Sequence, residues 1–251
     1  KNLQNEEKAK EYLKKIQSSS ALMMTIINQV LEMARIESGT ATLRLKAEDL
    51  GVIFHDVSSV FESDIRKKNL QYLIDTDICH KYAICDKTKL QEIYLNIVSN
   101  AVKYTPNGKS IHVTIKEVAS DDKMAQYCFI CEDTGIGMSE EYLPHIFEEF
   151  SREHTTTENK VAGTGLGLPI VKSMIELMGG SIRVESTQGA GTKFTVDISF
   201  DTASEEDVYR NQISEQPDAL KRMEGKRILL AEDNRTACGT KDYCRPRNGW
   251  S

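Results

Sequence analysis

Nine of the fifteen glycines fall between Gly135 and Gly191, a density expected where backbone must approach something closely. The tightest group, Gly163-Thr164-Gly165-Leu166-Gly167-Leu168, runs into Pro169 and a helical pattern that continues through Met178. A glycine loop opening onto a helix start presents unpaired amides and the positive end of the helix dipole, which together favour a phosphate. Taken alone, a G-x-G-x-G serves tight turns and close packing equally well. Neither a G-x-G-x-x-G after an early strand nor a G-x-x-x-x-G-K-[ST] occurs, so any nucleotide pocket must be of another kind.

Two further segments carry chemistry. In Glu132-Asp133-Thr134-Gly135-Ile136-Gly137-Met138 an acidic residue closes a strand pattern and turns on two glycines. Its carboxylate can accept an amine hydrogen, the plain alternative being an Asp-Gly turn. Between Leu90 and Tyr104, the residues Glu92, Asn96, Asn100 and Lys103 follow at i, i+4, i+8 and i+11, which aligns them on one helical stripe opposite Leu95, Val98 and Val102. Such a stripe is usually the solvated face. Asparagine, however, is a poor interior helix former, while its amide oxygen is a hard ligand suited to Mg²⁺ and a neighbouring lysine can hold a phosphate.

These residues need a scaffold, and the rest of the chain supplies one. Over 251 residues, 39% hydrophobic and 28% charged, the composition is that of an ordinary globular protein. The balance of 32 Lys+Arg against 38 Asp+Glu, net −6, argues against a basic surface for nucleic acid or anionic membranes. No run of about 18 apolar residues occurs and no signal-peptide core opens the chain, so it reads as cytoplasmic, without membrane contact of its own. The six cysteines are diluted along the chain and read as reduced thiols. Cys128 and Cys131 form a C-x-x-C, but no second pair follows, and His145 and His154 lack zinc-finger spacing.

Leu13, Ile16, Ser20, Met23, Ile27, Val30 and Ala34 recur at alternating steps of three and four, predicting one long helix over the first 37 residues with a heptad seam that wants a partner helix. Gly39 ends it, and a second amphipathic segment follows from Val52 to Ile65. Strand-like alternation appears at 70–74, 111–115, 127–130 and 194–198, with helical patterns at 87–104 and 167–178. Strands mixed with helices in this way predict a sheet covered on one face by helices. Residues 201–225 turn polar and acidic, as a linker does, and 226–234 read as a buried strand ending in the pair Glu232-Asp233.

Taken together and in order, these segments resemble the ATP-binding domain of the histidine kinases, in the superfamily shared with gyrase-type and Hsp90-type ATPases. The N box is Asn96-Ile97-Val98-Ser99-Asn100-Ala101-Val102-Lys103-Tyr104 and the G1 box Asp133-Thr134-Gly135-Ile136-Gly137. The F box is Ile146-Phe147-Glu148-Glu149-Phe150 and the G2 box Gly163-Thr164-Gly165-Leu166-Gly167-Leu168. The resemblance covers about residues 50–200, including the closing Gly189-Ala190-Gly191-Thr192. It implies an α+β two-layer sandwich, a mixed sheet covered by helices in the Bergerat-type ATP-binding fold, preceded by a long dimerisation helix.

The same resemblance implies ATP and Mg²⁺ as cofactors. Asp133 would bind the adenine amine, Asn96 would ligate Mg²⁺, Asn100 and Lys103 would face the phosphates, and Tyr104 would pack near the nucleotide. Gly135, Gly137 and Thr192 would belong to the nucleotide site, and Gly163, Thr164, Gly165, Leu166, Gly167 and Leu168 would line the triphosphate. Residues 151–162 would form a lid anchored by Phe147 and Phe150. Glu92 and Lys103 are the catalytic candidates: Glu92 stands where the related ATPases keep a water-activating base and takes a supporting role here, whereas Lys103 neutralises charge during in-line transfer.

By the same resemblance, residues 1–39 would be the second helix of a dimerisation and phosphotransfer domain, 40–200 the ATP-binding domain, 201–225 a linker, and 226–251 the start of a receiver domain, truncated or out of frame. The phosphoaccepting histidine would lie in an absent first helix; His55-Asp56 falls after the helix end and is read as structural. The expected function is the catalytic portion of a hybrid sensor kinase, which passes phosphate from ATP to histidine and on to a receiver aspartate. Its partners would be a second copy, through the helical bundle, and a response-regulator receiver, fused or separate. The alternative is a standalone ATPase or ATP-driven switch of the same superfamily.

Overall fold

The computed structural model describes residues 6–121, 123–152 and 164–214. Contacts divide the chain into two units, Lys1–Gln212 and Ile213–Ser251. The strand expected at 226–234, Gly163 and most of the expected lid lie outside the described residues.

The chain opens with α1 (Glu6–Glu37), which ends where Gly39 takes φ +67 and its N–H bonds back to Ile36 O. This helix uses two faces differently. Met33 and Ile36 pack against the core of the domain, whereas Leu13, Ile16, Met23, Ile27 and Val30 of the heptad seam stay 45–64% exposed.

After β1 (Lys46–Asp49), the amphipathic stretch expected to run from Val52 to Ile65 is two helices, α2 (Leu50–Val60) and α3 (Glu62–Lys68). The break falls at Phe61, whose N–H turns back to Ser58 O while its ring stays buried. Asp49 caps α2 by accepting from Gly51 N and Val52 N. Next come β2 (Gln71–Asp77), β3 (Tyr82–Cys85) and α4 (Lys87–Tyr104), the last with the boundaries its sequence pattern predicts. Buried Asp86 caps α4 through Lys89 N and also accepts from Arg44 N, tying the helix start to the preceding loop.

The remaining elements are β4 (Ser110–Ser120), β5 (Met124–Asp133), α5 (Gly167–Leu177), β6 (Ser181–Thr187), β7 (Gly191–Thr202) and α6 (Glu205–Ser214). Seven strands form one sheet in the order β1-β3-β7-β5-β4-β2, with β6 paired to the other half of β7. Among the described strands only β2 and β4 pair in parallel, so the sheet is mixed, as expected. Along β5 the residues Ala125, Tyr127, Phe129, Cys131 and Asp133 are buried while Met124, Gln126 and Glu132 are exposed, the period-two signature of a sheet covered on one face. Tyr94 of α4 stacks between Phe54 of α2 and Phe129 of β5, which joins the helical layer to the sheet.

Residues 205–214, read as linker, form α6, because Ser204 and Asp207 cap each other: Asp207 N donates to Ser204 Oγ, and Ser204 N donates to Asp207 Oδ2. Cys128 and Cys131, adjacent in a C-x-x-C, point to opposite faces of β5 because they sit an odd number of residues apart. Burial raises both thiols, Cys128 to about 11, so neither supplies a thiolate near neutral pH.

Candidate functional site

Sheet register decides one end of the site. Asp133 is the last residue of β5 and sits between Ile111 on β4 and Thr192 on β7. It is 7% exposed, and burial raises its carboxyl to about 6. Amides of Gly135 and Thr192 oppose that rise, the Gly135 N–H at 2.8 Å, while the neighbouring Glu132 adds to it. The hydroxyl of Thr105 is close enough to stabilise the carboxylate slightly, but it is wholly buried and lacks strict hydrogen-bond geometry to any described group. A carboxylate of this kind accepts a hydrogen bond strongly when ionised.

The glycines here pack backbone on backbone. A Cβ on Gly135 would lie 2.5 Å from Asp133 Oδ1 and 2.8 Å from Tyr104 O. Gly137, at φ +61, would bring one within 2.0 Å of Thr187 O, and Gly191, at φ +133, within 1.9 Å of Asp133 O. Gly189 N donates to Ile136 O and Met138 N to Ser186 Oγ, so the turn after β5 is clamped on the β6–β7 hairpin.

The other end is built where helices meet. Asn96 on α4 donates from Nδ2 to Glu92 O, which leaves Oδ1 facing the first turn of α5; a Cβ on Gly167 would stand 2.7 Å from it. An amide oxygen so directed fits a hard cation such as Mg²⁺. Leu166 before α5 offers no side-chain cap, so the first amides of that helix are presented to the cavity with the dipole behind them. From Asn96 to Tyr104 the helix rises about 12 Å, so α4 runs the length of the site.

A cavity of about 470 Å³ lies between these ends. Among its lining residues are Asn96, Asn100, Lys103, Tyr104, Asp133, Gly137, Thr164, Gly165, Gly167, Leu168 and Thr192, so most of the expected set converges on one space. Of the expected residues that are described, three do not line it. Gly135 acts from behind by holding Asp133, and the Leu166 side chain is 2% exposed, packed in the core. The Glu92 carboxylate sits beside the cavity, 3.6 Å from Lys89 Nζ, with burial raising its pKa. Phe147 packs against the core beneath Lys172, but Phe150, expected as a lid anchor, is 62% exposed. Its backbone makes the tie instead: Phe150 N donates to Gly165 O, and Gly165, at φ +74, has no room for a side chain there.

Sequence patterns miss several lining groups. Ile136, Met138, Tyr142, Ile146 and Phe194 give the cavity apolar wall, which period-two and helical patterns do not distinguish from core. Gln29 comes from α1, where its Oε1 accepts from Thr164 Oγ1 at 2.9 Å. One turn further along α1, Glu32 pairs with Lys89, next to Glu92.

Comparison with known proteins agrees with this fold. The model of the histidine kinase-, DNA gyrase B-, and HSP90-like ATPase family matches residues 85–202. The chain is 31% identical over 234 residues to the circadian input-output histidine kinase CikA of Synechococcus elongatus, covering 92% of this chain and 29% of that protein. Among solved structures, full-length ShkA in complex with AMPPNP superposes with a TM-score of 0.63 at 26% identity, over 78% of this chain and 39% of that one. The catalytic domain of the histidine kinase ThkA, in a nucleotide-free form, gives 0.51 at 28% identity, over 62% of this chain and 95% of that one. The chain spans less than a third of the length of the curated relatives it matches.

Proposed function

We propose that this chain, whose residues 85–202 match the model of the histidine kinase-, DNA gyrase B-, and HSP90-like ATPase family, is the ATP-binding catalytic portion of a hybrid sensor histidine kinase. It moves the γ-phosphoryl group of ATP to a histidine, from which a receiver aspartate takes it. The observation that carries this reading is the cavity spanned by α4, with a buried carboxylate at one end and a helix N-terminus beside Asn96 at the other.

In this reading Asp133 accepts the adenine amine hydrogen, with Thr192 beside it and Gly135 holding the carboxylate. Tyr104 and the apolar wall take the rings. Asn100, Lys103 and the first amides of α5 face the phosphates, and Thr164 with Gly165 borders the triphosphate. Asn96 Oδ1 would hold Mg²⁺, which supplies charge neutralisation to the phosphates when bound. Lys103 compensates negative charge during transfer, while the backbone carbonyl of Glu92 orients the Asn96 amide. The exposed seam of α1, set apart from the face that packs on the domain, supports a homodimer through that helix. Residues 1–39 would then be part of the dimerisation domain and 226–251 the start of a receiver. The named relatives are kinases, which favours this reading over a standalone ATPase.

Calorimetric titration with ADP and a non-hydrolysable ATP analogue, with and without Mg²⁺, tests the assignment. Asp133→Asn should weaken binding roughly 30- to 150-fold, the worth of a charge-assisted hydrogen bond of about 2–3 kcal/mol. A folded chain that binds neither nucleotide would overturn the reading. Steady phosphate release without any protein acceptor would favour the ATPase.

A further inference from the structure

We infer that Lys68 is a positioning residue for nucleotide recognition, fixing the end of α4 at which Lys103, Tyr104 and Thr105 meet the cavity; this rests on reading that cavity as the ATP site. Lys68 is the last residue of α3, and its ammonium donates to three carbonyls: Val102 O at 2.7 Å, Lys103 O at 3.0 Å and Thr105 O at 3.1 Å. An ammonium has three N–H bonds, so all its donors are spent on this one helix end.

The end of α4 needs such a partner. The last carbonyls of a helix have no intrahelical donors and carry the negative end of the dipole. A left-handed residue after the helix commonly supplies amides to satisfy them, but the cap Thr105 is extended, at φ −87 and ψ 122. The next residue is Pro106, which has no N–H, so the amide that would reach Val102 O is missing. Lys68 replaces it with a charged donor from another element. Its own backbone is held in turn, since Gly108 N donates to Lys68 O.

What hangs on this end is the site. Tyr104 O accepts from Ile136 N and lies so near Gly135 that a Cβ there would meet it at 2.8 Å. Lys103 and Tyr104 line the cavity, and wholly buried Thr105 adjoins Asp133. A shift of the helix end of a few tenths of an ångström therefore reaches the adenine carboxylate and the phosphate lysine together. A purely structural cap would lower thermal stability without altering the affinity of the molecules that remain folded.

The test compares the ADP dissociation constant by calorimetry, well below each melting temperature, for the wild type, Lys68→Met, Lys68→Arg and Ile115→Val. The last trims the buried core on β4 away from the site. Lys68→Met keeps the aliphatic stem, and the expected result is ADP binding about five- to tenfold weaker, with partial recovery in Lys68→Arg, as loss and return of charged donors predict. Ile115→Val should lower the melting temperature and leave the ADP affinity within about twofold of wild type. Lys68→Gln takes the place of Lys68→Met if the latter does not fold, with the same expected direction. ADP affinity unchanged in the folded Lys68 variant, whatever its melting temperature, overturns the inference. Failure of the wild type itself to bind ADP would instead sink the ATP-site reading beneath it.

Discussion

The two ends of the cavity are built by opposite means. At the Asp133 end, position is set by strand register and by backbone packed on backbone: Ile111, Asp133 and Thr192 lie side by side on three adjacent strands, and Gly135, Gly137 and Gly191 leave no space for a side chain. At the Asn96 end, α1, α4, α5 and the loop before α5 meet largely through side chains, including Gln29 on Thr164 and Glu32 on Lys89. An arrangement fixed by a sheet is hard to change without unfolding it. One made of separate helices and a loop can be adjusted at small cost, which would suit the end where the proposed phosphate chemistry takes place.

The sharpest way to break the comparison is Gly191→Ala. A Cβ there would stand 1.9 Å from Asp133 O at a backbone angle that L-residues rarely adopt, so strand β7 or the end of β5 must move. The expected loss is at least about 3 kcal/mol of stability, or roughly 6–12 °C in melting temperature for a domain of this size. Differential scanning calorimetry checks it; a loss below about 1 kcal/mol would show that the Asp133 end yields as readily as the other.

Asn96→Ala probes the opposite end and should leave the fold intact. Its effect should be confined to titrations containing Mg²⁺, where ADP affinity falls about tenfold, the weight of one ligand or orienting group in a metal site. Equal affinities for wild type and variant, with and without Mg²⁺, would remove Asn96 from the ligand set.

The difference in construction also explains what could be read in advance. Helix α4 was legible to its last residue because its signals are local: Asp86 at the cap, apolar spacing between, Pro106 just beyond. The four boxes were legible for the same reason. Strands β1 and β3 were not, since four residues are too few to show a period, and β6 offers only Ile182 and Val184 in alternation. Glycines announced close approach without naming the neighbour, which is the β6–β7 hairpin at Gly137 and the end of β5 at Gly191. Gln29 and Lys68 left no signal, because a hydrogen bond spanning 135 residues or 34 to 37 residues has no trace in local spacing.

Titration separates the two ends by a smaller margin. Burial places the Asp133 carboxyl at about 6, above the ordinary carboxylate value, so the ionised form that would receive an adenine amine is fully present only above that pH. Adenosine and ADP affinity should therefore fall as pH drops through about 6, approaching tenfold per unit below it, and the profile should flatten in Asp133→Asn. The same group acts in the opposite sense on the ligand-free fold. Because its folded pKa is raised, its contribution to stability declines as pH rises from about 4 to about 6. A slope that survives in Asp133→Asn would assign the titration to Glu92, the other carboxylate that burial raises among the described residues.

The smallest effect belongs to α1. Gln29 Oε1 and Thr164 Oγ1 form a single half-buried neutral hydrogen bond, worth about 1 kcal/mol net. Gln29→Ala should loosen the part of α1 that leans on α5 without touching the sheet. Amide hydrogen exchange in residues 26–36 should rise about fivefold, while β5 and β7 keep wild-type protection. If protection fell in the strands as well, the helices and the sheet would be one cooperative unit, and the contrast between the two ends would be one of geometry alone. If exchange rose only in α1, the helix that carries the exposed seam would open independently of the sheet, and the contrast between the two ends would be one of stability as well as of geometry.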